Sequence, residues 1–385
     1  MTTERFPRGQ SAIVAAATHG LGEAPGFSSM DLAVCASVKA LNQVGLKPSD
    51  VDGLFIGLPD DFMSGLGMAE YLGIQPRMTD NNRVGGSSFQ THVIHAALAL
   101  QAGLCDVALI AYGSNQRSAA GKLISSMRPF PYEAPYKLRR PIGGYALATS
   151  RYQYEYGLEA ERLGDIAIAA RQWAQLNPDA FMREPLSMDE YLGSRMVSDP
   201  LRVRDCCLVT DGAAAIVMVS ANRAKDLATK PVYLLGGAAA TDHREITNMP
   251  DLTTTAAVDS GRRAFAQAGV RPSDIDVVEL YDAFTINTLL FLEDLGFCAK
   301  GEGGDFVANG RIAPGGELAV NTNGGGLSCV HPGMYGLFTI VEASQQLMGL
   351  AGERQIAGAQ LGIAHGNGGE LSSQVTLILG TADTL

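Results

Sequence analysis

The stretch Gln43–Gly57, "QVGLKPSDVDGLFIG", returns as Gln267–Tyr281, "QAGVRPSDIDVVELY", with Gln, Gly, Pro, Ser and both Asp in place. A chain that repeats itself in this way is built from copies of one unit, which fixes the fold before any single residue is weighed. Each copy follows an amphipathic helical pattern, "SMDLAVCASVKALNQVG" or "TTTAAVDSGRRAFAQAG", that stops at a glycine suited to closing a helix. Each then turns at Pro-Ser-Asp and runs into a short apolar stretch that reads as a buried strand.

The order continues alike. A glycine-rich segment leads into a helix and then an apolar strand: "VGGSSFQTHVIHAALALQAG" and "CDVALIAYGS" first, "NGGGLSCVHPGMYGLFTIVEASQQLMG" and "GAQLGIAHGNGG" second. Each half closes on a strand, Gly212–Ser220 and Ser372–Gly380. The pattern predicts an α/β fold of two halves, residues 1–225 and 226–385, divided in "SANRAKDLATKP". The section from about 115 to 209 has no counterpart in the second half and reads as an inserted loop domain, where specificity commonly resides. Its tyrosines, such as Tyr132, Tyr136 and Tyr145, hint at a broad apolar substrate.

The bulk numbers agree with this reading. A length of 385 residues suits two fused domains. Hydrophobic residues at 46%, charged residues at 18% and 45 glycines suit a largely buried α/β enzyme. The net charge of −11 opposes the basic face a nucleic-acid binder needs. No apolar run approaches the roughly 20 residues that span a bilayer, and "MTTERFPRGQ" lacks the apolar core of a signal peptide, so a cytoplasmic protein without membrane insertion is expected. Six scattered cysteines, with no C-x-x-C pair and no clustering with histidines, predict neither a metal site nor a disulfide framework.

The chemistry gathers at the glycine-rich segments. A tight turn into a helix offers unpaired N–H groups and a positive dipole end, a place suited to a nucleophile or an anion. Residues 81–103, "NNRVGGSSFQTHVIHAALALQAG", offer only Gly85, Gly86 and two serines there, and Ser87 and Ser88 read as helix caps. His331 and His365 lie in glycine-rich loops, and a histidine titrates near neutrality and passes protons either way. Asn321 and Asn323 flank the Gly324–Gly326 run, whose amides, with those of Gly85–Gly86 and Gly368–Gly369, could converge on an oxyanion. His92 and His95, one turn apart, read as helix packing or a dimer contact.

With "DGAAAIVM" (Asp211–Met218), "ELYDAFT" (Glu279–Thr285), "EDLGFCAKGEGGDF" (Glu293–Phe306) and "NTNGGGLSCVHPG" (Asn321–Gly333), the chain resembles the thiolase superfamily over nearly its whole length. Within it, the branch related to sterol-carrier-protein-x thiolases and steroid side-chain aldolases is the most similar. The resemblance implies a thiolase-like, duplicated five-layered α-β-α-β-α fold. Thiolases carry the acyl-accepting cysteine in a pattern like N-R-x-C-x-S-G. Asn82 and Arg83 match it, and Gly85 stands where the cysteine would be, which removes the nucleophile.

The resemblance also sets His331 on the histidine of the thiolase G-H-P motif, and His365 where thiolases bring an acid/base cysteine and sterol-carrier relatives a histidine. Tyr281 falls where thiolases have N-E-A-F and the steroid side-chain aldolases a tyrosine; those aldolases carry a tyrosine at the His331 position too, so this chain mixes both patterns. The resemblance thus implies an enzyme acting on acyl-CoA thioesters by retro-aldol cleavage or formation of a C–C bond without an acyl-cysteine. Tyr281, His331 and His365 are its implied catalytic residues, and Gly85, Gly86, Ser87, Asn321, Asn323, Gly325 and Gly368 line its substrate site. Two alternatives stand beside it: an acyltransferase with Ser87 or Cys329 as replacement nucleophile, and a non-catalytic acyl-CoA- or lipid-binding subunit. Coenzyme A enters as part of the substrate, with no tightly bound cofactor. A homodimer and a small OB-fold partner protein are implied as well.

Overall fold

The computed structural model describes residues 6–120, 131–227 and 229–385. Its strands are β1 (Ser11–Gly22), β2 (Gly53–Ile56), β3 (Met78–Asp80), β4 (Val107–Ser114), β5 (Met196–Ser198), β6 (Leu201–Arg202), β7 (Asp211–Ser220), β8 (Val232–Thr241), β9 (Val277–Leu280), β10 (Ala319–Val320), β11 (Leu361–Gly368) and β12 (Ser373–Gly380). Ten of them run side by side in the order β3-β2-β4-β7-β1-β8-β12-β11-β9-β10, and β5 and β6 pair separately. The order reads alike from both edges. The halves meet where β1 and β8 pair antiparallel, Ala12 against Tyr233 and Ile13 against Val232.

The helices are α1 (Ser29–Gln43), α2 (Ser64–Leu72), α3 (Ser88–Gln101), α4 (Gln116–Ala120), α5 (Ile142–Tyr156), α6 (Ala160–Gln175), α7 (Met188–Leu192), α8 (Ala221–Ala224), α9 (Ala257–Ala268), α10 (Thr285–Asp294), α11 (Gly303–Val307) and α12 (Gly336–Met348). α1 covers β1, β4 and β7 on one outside, and α9 covers β8 and β12 on the other. α3 and α12 pack on each other and on strands of both halves, so they form the middle of an α-β-α-β-α stack. Strands enclosed on both faces need apolar side chains throughout, which is why Ala12–Ala17 of β1 and Ala213–Val219 of β7 are all buried.

The sequence repeat has a physical cause in the two aspartates of Pro-Ser-Asp-x-Asp. The first turns back on its own loop: Asp50 Oδ2 accepts from Lys47 N at 2.7 Å, and Asp274 Oδ2 from Arg271 N at 2.9 Å. The second clamps the start of the neighbouring parallel strand. Asp52 Oδ1 accepts from Asp106 N and Val107 N where β4 begins, and Asp276 Oδ2 from Gln360 N and Leu361 N where β11 begins. These carboxylates satisfy backbone donors that a strand's first residues leave unpaired.

One local expectation differs. In the first half the glycine-rich segment leads straight into α3, but in the second it does not lead straight into α12. Gly325–Cys329 form a single π-type turn, Val330 is extended, and Pro332, which has no N–H to donate, lies in irregular backbone before Gly336. His331 therefore stands on a loop ahead of the helix.

Between β4 and β7 lie α4 to α7 and the β5–β6 pair. Tyr132 and Tyr136 are exposed on this section, whereas Tyr145 of α5 is buried. Among the described residues no helix is long and apolar enough to cross a membrane, and no group of three or more His, Cys, Asp or Glu side chains is placed to hold a metal ion.

Candidate active site

The turn into α3 meets the end of β11 edge to edge. Gly85 has φ +85°, and a Cβ built on it would stand 2.7 Å from Gly369 N and 2.8 Å from Gly368 Cα. On Gly86 a Cβ would stand 2.6 Å from Tyr281 Cζ and 2.7 Å from Asn367 O. The space that a cysteine at 85 would need is filled by backbone of the other half. Position 85 thus has no nucleophile and no room for the thiolase cysteine.

Against this corner lies Tyr281. Its backbone N–H donates to His365 O at 3.1 Å, which extends the β9–β11 pairing by one residue and aims the ring at Gly86. Its hydroxyl oxygen lies 3.1 Å from His331 Nε2, accepts from Tyr335 N at 3.2 Å and is 3.4 Å from Gly333 O. The Tyr281 and His331 rings meet edge to face at 5.6 Å, and Tyr335 stacks on His331. Burial pushes the Tyr281 phenol well above its ordinary value and pulls His331 down to about 4. Near neutral pH the pair is a phenol beside a neutral imidazole. His331 Nδ1 has no hydrogen-bond partner among the described residues.

The second glycine-rich run is held rigidly, which corrects the expectation of free amide donors there. Gly324 N donates to Asn321 O, Gly325 N to Asn323 Oδ1 at 2.7 Å, Gly326 N to Asp282 Oδ1 at 2.6 Å, and Leu327 N to Asp282 Oδ2 at 3.3 Å. Asn321 Oδ1 accepts from Leu280 N, and Asn323 Oδ1 also takes the Tyr335 hydroxyl. Asn321, Asn323 and Gly325 thus build the loop that presents His331. Asp282 clamps that loop from the residue after Tyr281, and its burial raises its carboxyl to about 7 against the pull of the two amides.

His365 is not brought to Tyr281 and His331. It belongs to β11, not to a loop, and side chains on a strand alternate faces. A Cβ on its neighbour Gly366 would run into Gln90 of α3, while the His365 ring faces the other way. Its Nδ1 bonds Thr376 Oγ1 at 2.9 Å and its Nε2 bonds Gln374 Oε1 at 3.0 Å; Thr376 in turn meets Ser260 of α9. Both nitrogens are occupied, and burial lowers the ring to about 4.

Ser87 is buried at the corner beside Gly368, with its hydroxyl 3.0 Å from Ser373 Oγ and no capping bond. Ser88 turns back on the corner, its hydroxyl donating to Gly85 O and accepting from Val84 N at 2.9 Å. Neither acts as the helix cap its type suggests. The Cys329 thiol is buried, raised by that burial, and 3.5 Å from Asn177 Nδ2. His92 and His95 tie α3 to Asn82 O and Asp80 Oδ2.

Sequence reasoning passed over Tyr335 and read Tyr145 only as a hint of an apolar substrate. Tyr335 sits two residues past the H-P-G signal, and its role needs the fold of the loop to be seen. Tyr145, from the inserted section, stacks on Phe284 at 4.3 Å and donates to Gly369 O at 3.1 Å, while Asn367 Nδ2 donates to its hydroxyl. It braces the backbone that closes the Gly85 corner.

Known proteins resemble this chain in sequence and in fold. The chain is 34% identical over 366 residues, 89% of its length and 92% of the relative's, to the 17-hydroxy-3-oxo-4-pregnene-20-carboxyl-CoA lyase of Mycobacterium tuberculosis. It belongs to the thiolase superfamily. Residues 238–381 of this superfamily member match the thiolase C-terminal domain-like family model. It is 33% identical over 363 residues to the steroid side-chain-cleaving aldolase of Thermomonospora curvata, covering 89% of the chain and 91% of that protein. Its fold superposes on the solved Ltp2-ChsH2(DUF35) aldolase with a TM-score of 0.88 at 32% identity, covering 97% of this chain and 98% of that one. The expected five-layered thiolase-like fold and the branch that includes the steroid side-chain aldolases are both borne out.

Proposed function

We propose that the chain is an acyl-CoA carbon–carbon lyase that splits 3-hydroxyacyl-CoA thioesters by a retro-aldol step, with no acyl-enzyme. The observation that carries this reading is the Tyr281–His331 contact beside a corner that has no room for the thiolase cysteine. The similarity to proteins named as a lyase and an aldolase supports it.

In the proposed reaction the 3-hydroxyl proton passes to the Tyr281 oxygen while the phenol proton moves to His331 Nε2. The C2–C3 bond breaks, its electron pair enters the thioester as an enolate, and C3 leaves as an aldehyde or ketone. His331 returns the proton through Tyr281 to C2, giving the shortened acyl-CoA. At neutral pH His331 is in the neutral form that can accept the proton, but the burial that lowers it to about 4 makes it a weak base, so the transfer runs in concert with C–C cleavage. With His365 occupied elsewhere, this pair handles the proton alone. Coenzyme A is the carrier of the substrate.

The assembly is a proposal too. We read the chain as a cytoplasmic homodimer working with a small OB-fold partner; the similar solved aldolase is named as an Ltp2-ChsH2(DUF35) pair. The test is mass spectrometry of products from 3-hydroxyacyl-CoA and 3-ketoacyl-CoA panels with free CoA, with and without such a partner. An aldehyde or ketone plus shortened acyl-CoA from the hydroxy panel is expected. CoA-dependent cleavage of the keto panel would overturn the reading in favour of a thiolase.

A further inference from the structure

Gln116, the first residue of α4, is 1% exposed, and neither Oε1 nor Nε2 of its carboxamide has a hydrogen-bond partner among the described residues. Buried polar side chains are ordinarily paired, so such a group marks a place where something else completes it. Its backbone is not loose. Asp211, which opens β7, accepts from Arg117 N at 2.8 Å and Ser118 N at 2.9 Å, and so pins the residues next to it. Its side chain points at the loop that carries His331: a Cβ on Gly333 would stand 2.7 Å from Gln116 Oε1 and 3.4 Å from the Tyr112 hydroxyl. The Tyr112 hydroxyl fixes that loop in turn, donating to Pro332 O and accepting from Met334 N. Gly333 O lies 3.4 Å from the Tyr281 hydroxyl.

The proposed reaction needs a neutral donor for the oxygen on which enolate charge develops. The amides of Gly324 to Leu327 are all engaged by Asn321, Asn323 and Asp282. Gln116 sets Oε1 beside the His331 loop with both ends of the carboxamide unengaged, and a half-turn of that amide would put its N–H pair there instead. We propose that Gln116 is a substrate-binding residue whose carboxamide donates to the thioester oxygen of the acyl-CoA, and more strongly to the enolate oxygen. The inference rests on the acyl-CoA reading and extends it to a residue with no motif around it.

The experiment compares two unreactive probes, propionyl-CoA and its thioether analogue S-propyl-CoA, which lacks the carbonyl oxygen. Their binding is measured by calorimetry to the full chain, to Gln116→Ala and to the shape-conserving Gln116→Glu. The wild-type chain is expected to prefer the thioester by about tenfold, the worth of one good hydrogen bond. Gln116→Ala should abolish that preference while holding the thioether as before, and Gln116→Glu, which presents an acceptor, should reverse it. If Gln116→Ala does not fold, the reversal in Gln116→Glu is the deciding result. An undiminished preference in the variants, or an equal loss for both probes, overturns the inference while leaving the acyl-CoA reading intact. Failure of the wild-type chain to bind either probe overturns the acyl-CoA reading itself, and this inference with it.

Discussion

Two constraints coincide at Gly85: a left-handed φ and backbone of the opposite half where a Cβ would go. Restoring the thiolase residue should therefore damage the protein without restoring the chemistry. Gly85→Cys is expected to lose about 2 kcal/mol or more of stability and to gain no acyl adduct with acyl-CoA, checked by thermal melting and intact mass. Tyr281→Phe removes one oxygen and strands the Tyr335 N–H at a cost of about 1–2 kcal/mol, leaving the fold in place. It should lower kcat by about 10²–10⁴-fold, read from the rate of shortened acyl-CoA release.

His365 gives the opposite expectation. His365→Gln should keep kcat within about threefold while lowering the melting temperature, because the ring bridges Thr376 and Gln374 away from the proposed chemistry. Its folded pKa of about 4 lies below the unfolded value of 6.5, so its contribution to stability is complete above 6.5 and is lost as pH falls from 6.5 toward 4. The variant's melting temperature should fall less than the wild type's between pH 7 and pH 4.5.

Among the elements, the loop from Asn321 to Tyr335 is ordered by acceptors far away in sequence, above all Asp282. Asp282→Asn puts an NH2 group against the Leu327 or Gly326 amide. It should reduce kcat at least tenfold through displacement of His331, with a KM that changes less, as initial-rate kinetics would show. This loop marks the limit of what the sequence told. The Pro-Ser-Asp-x-Asp repeat announced paired strands and helices because it stands twice in the chain between a helical pattern and an apolar run, even though its second aspartates act on strands 54 and 84 residues away. Gly85, read against the thiolase pattern, announced a missing nucleophile. Asp282 reaches Gly326 across 44 residues, Tyr335 reaches the Tyr281 hydroxyl across 54 and Tyr145 reaches Gly369 across 224. Periodicity carries no trace of such partners.

At the scale of the whole molecule, the duplication brings the turn of one half against the strand end of the other. The first copy's Gly85–Gly86 and the second copy's Gly368–Gly369 close the corner, and the second copy also supplies Tyr281 and His331. The symmetry of the thiolase fold is retained while position 85 holds a glycine hemmed in by backbone of the other half. The most direct test is intact-protein mass spectrometry on rapidly quenched samples taken during turnover of a 3-hydroxyacyl-CoA. The account predicts unmodified protein while shortened acyl-CoA and a carbonyl product accumulate; protein heavier by one acyl group, mapped to Ser87 or Cys329, would contradict it.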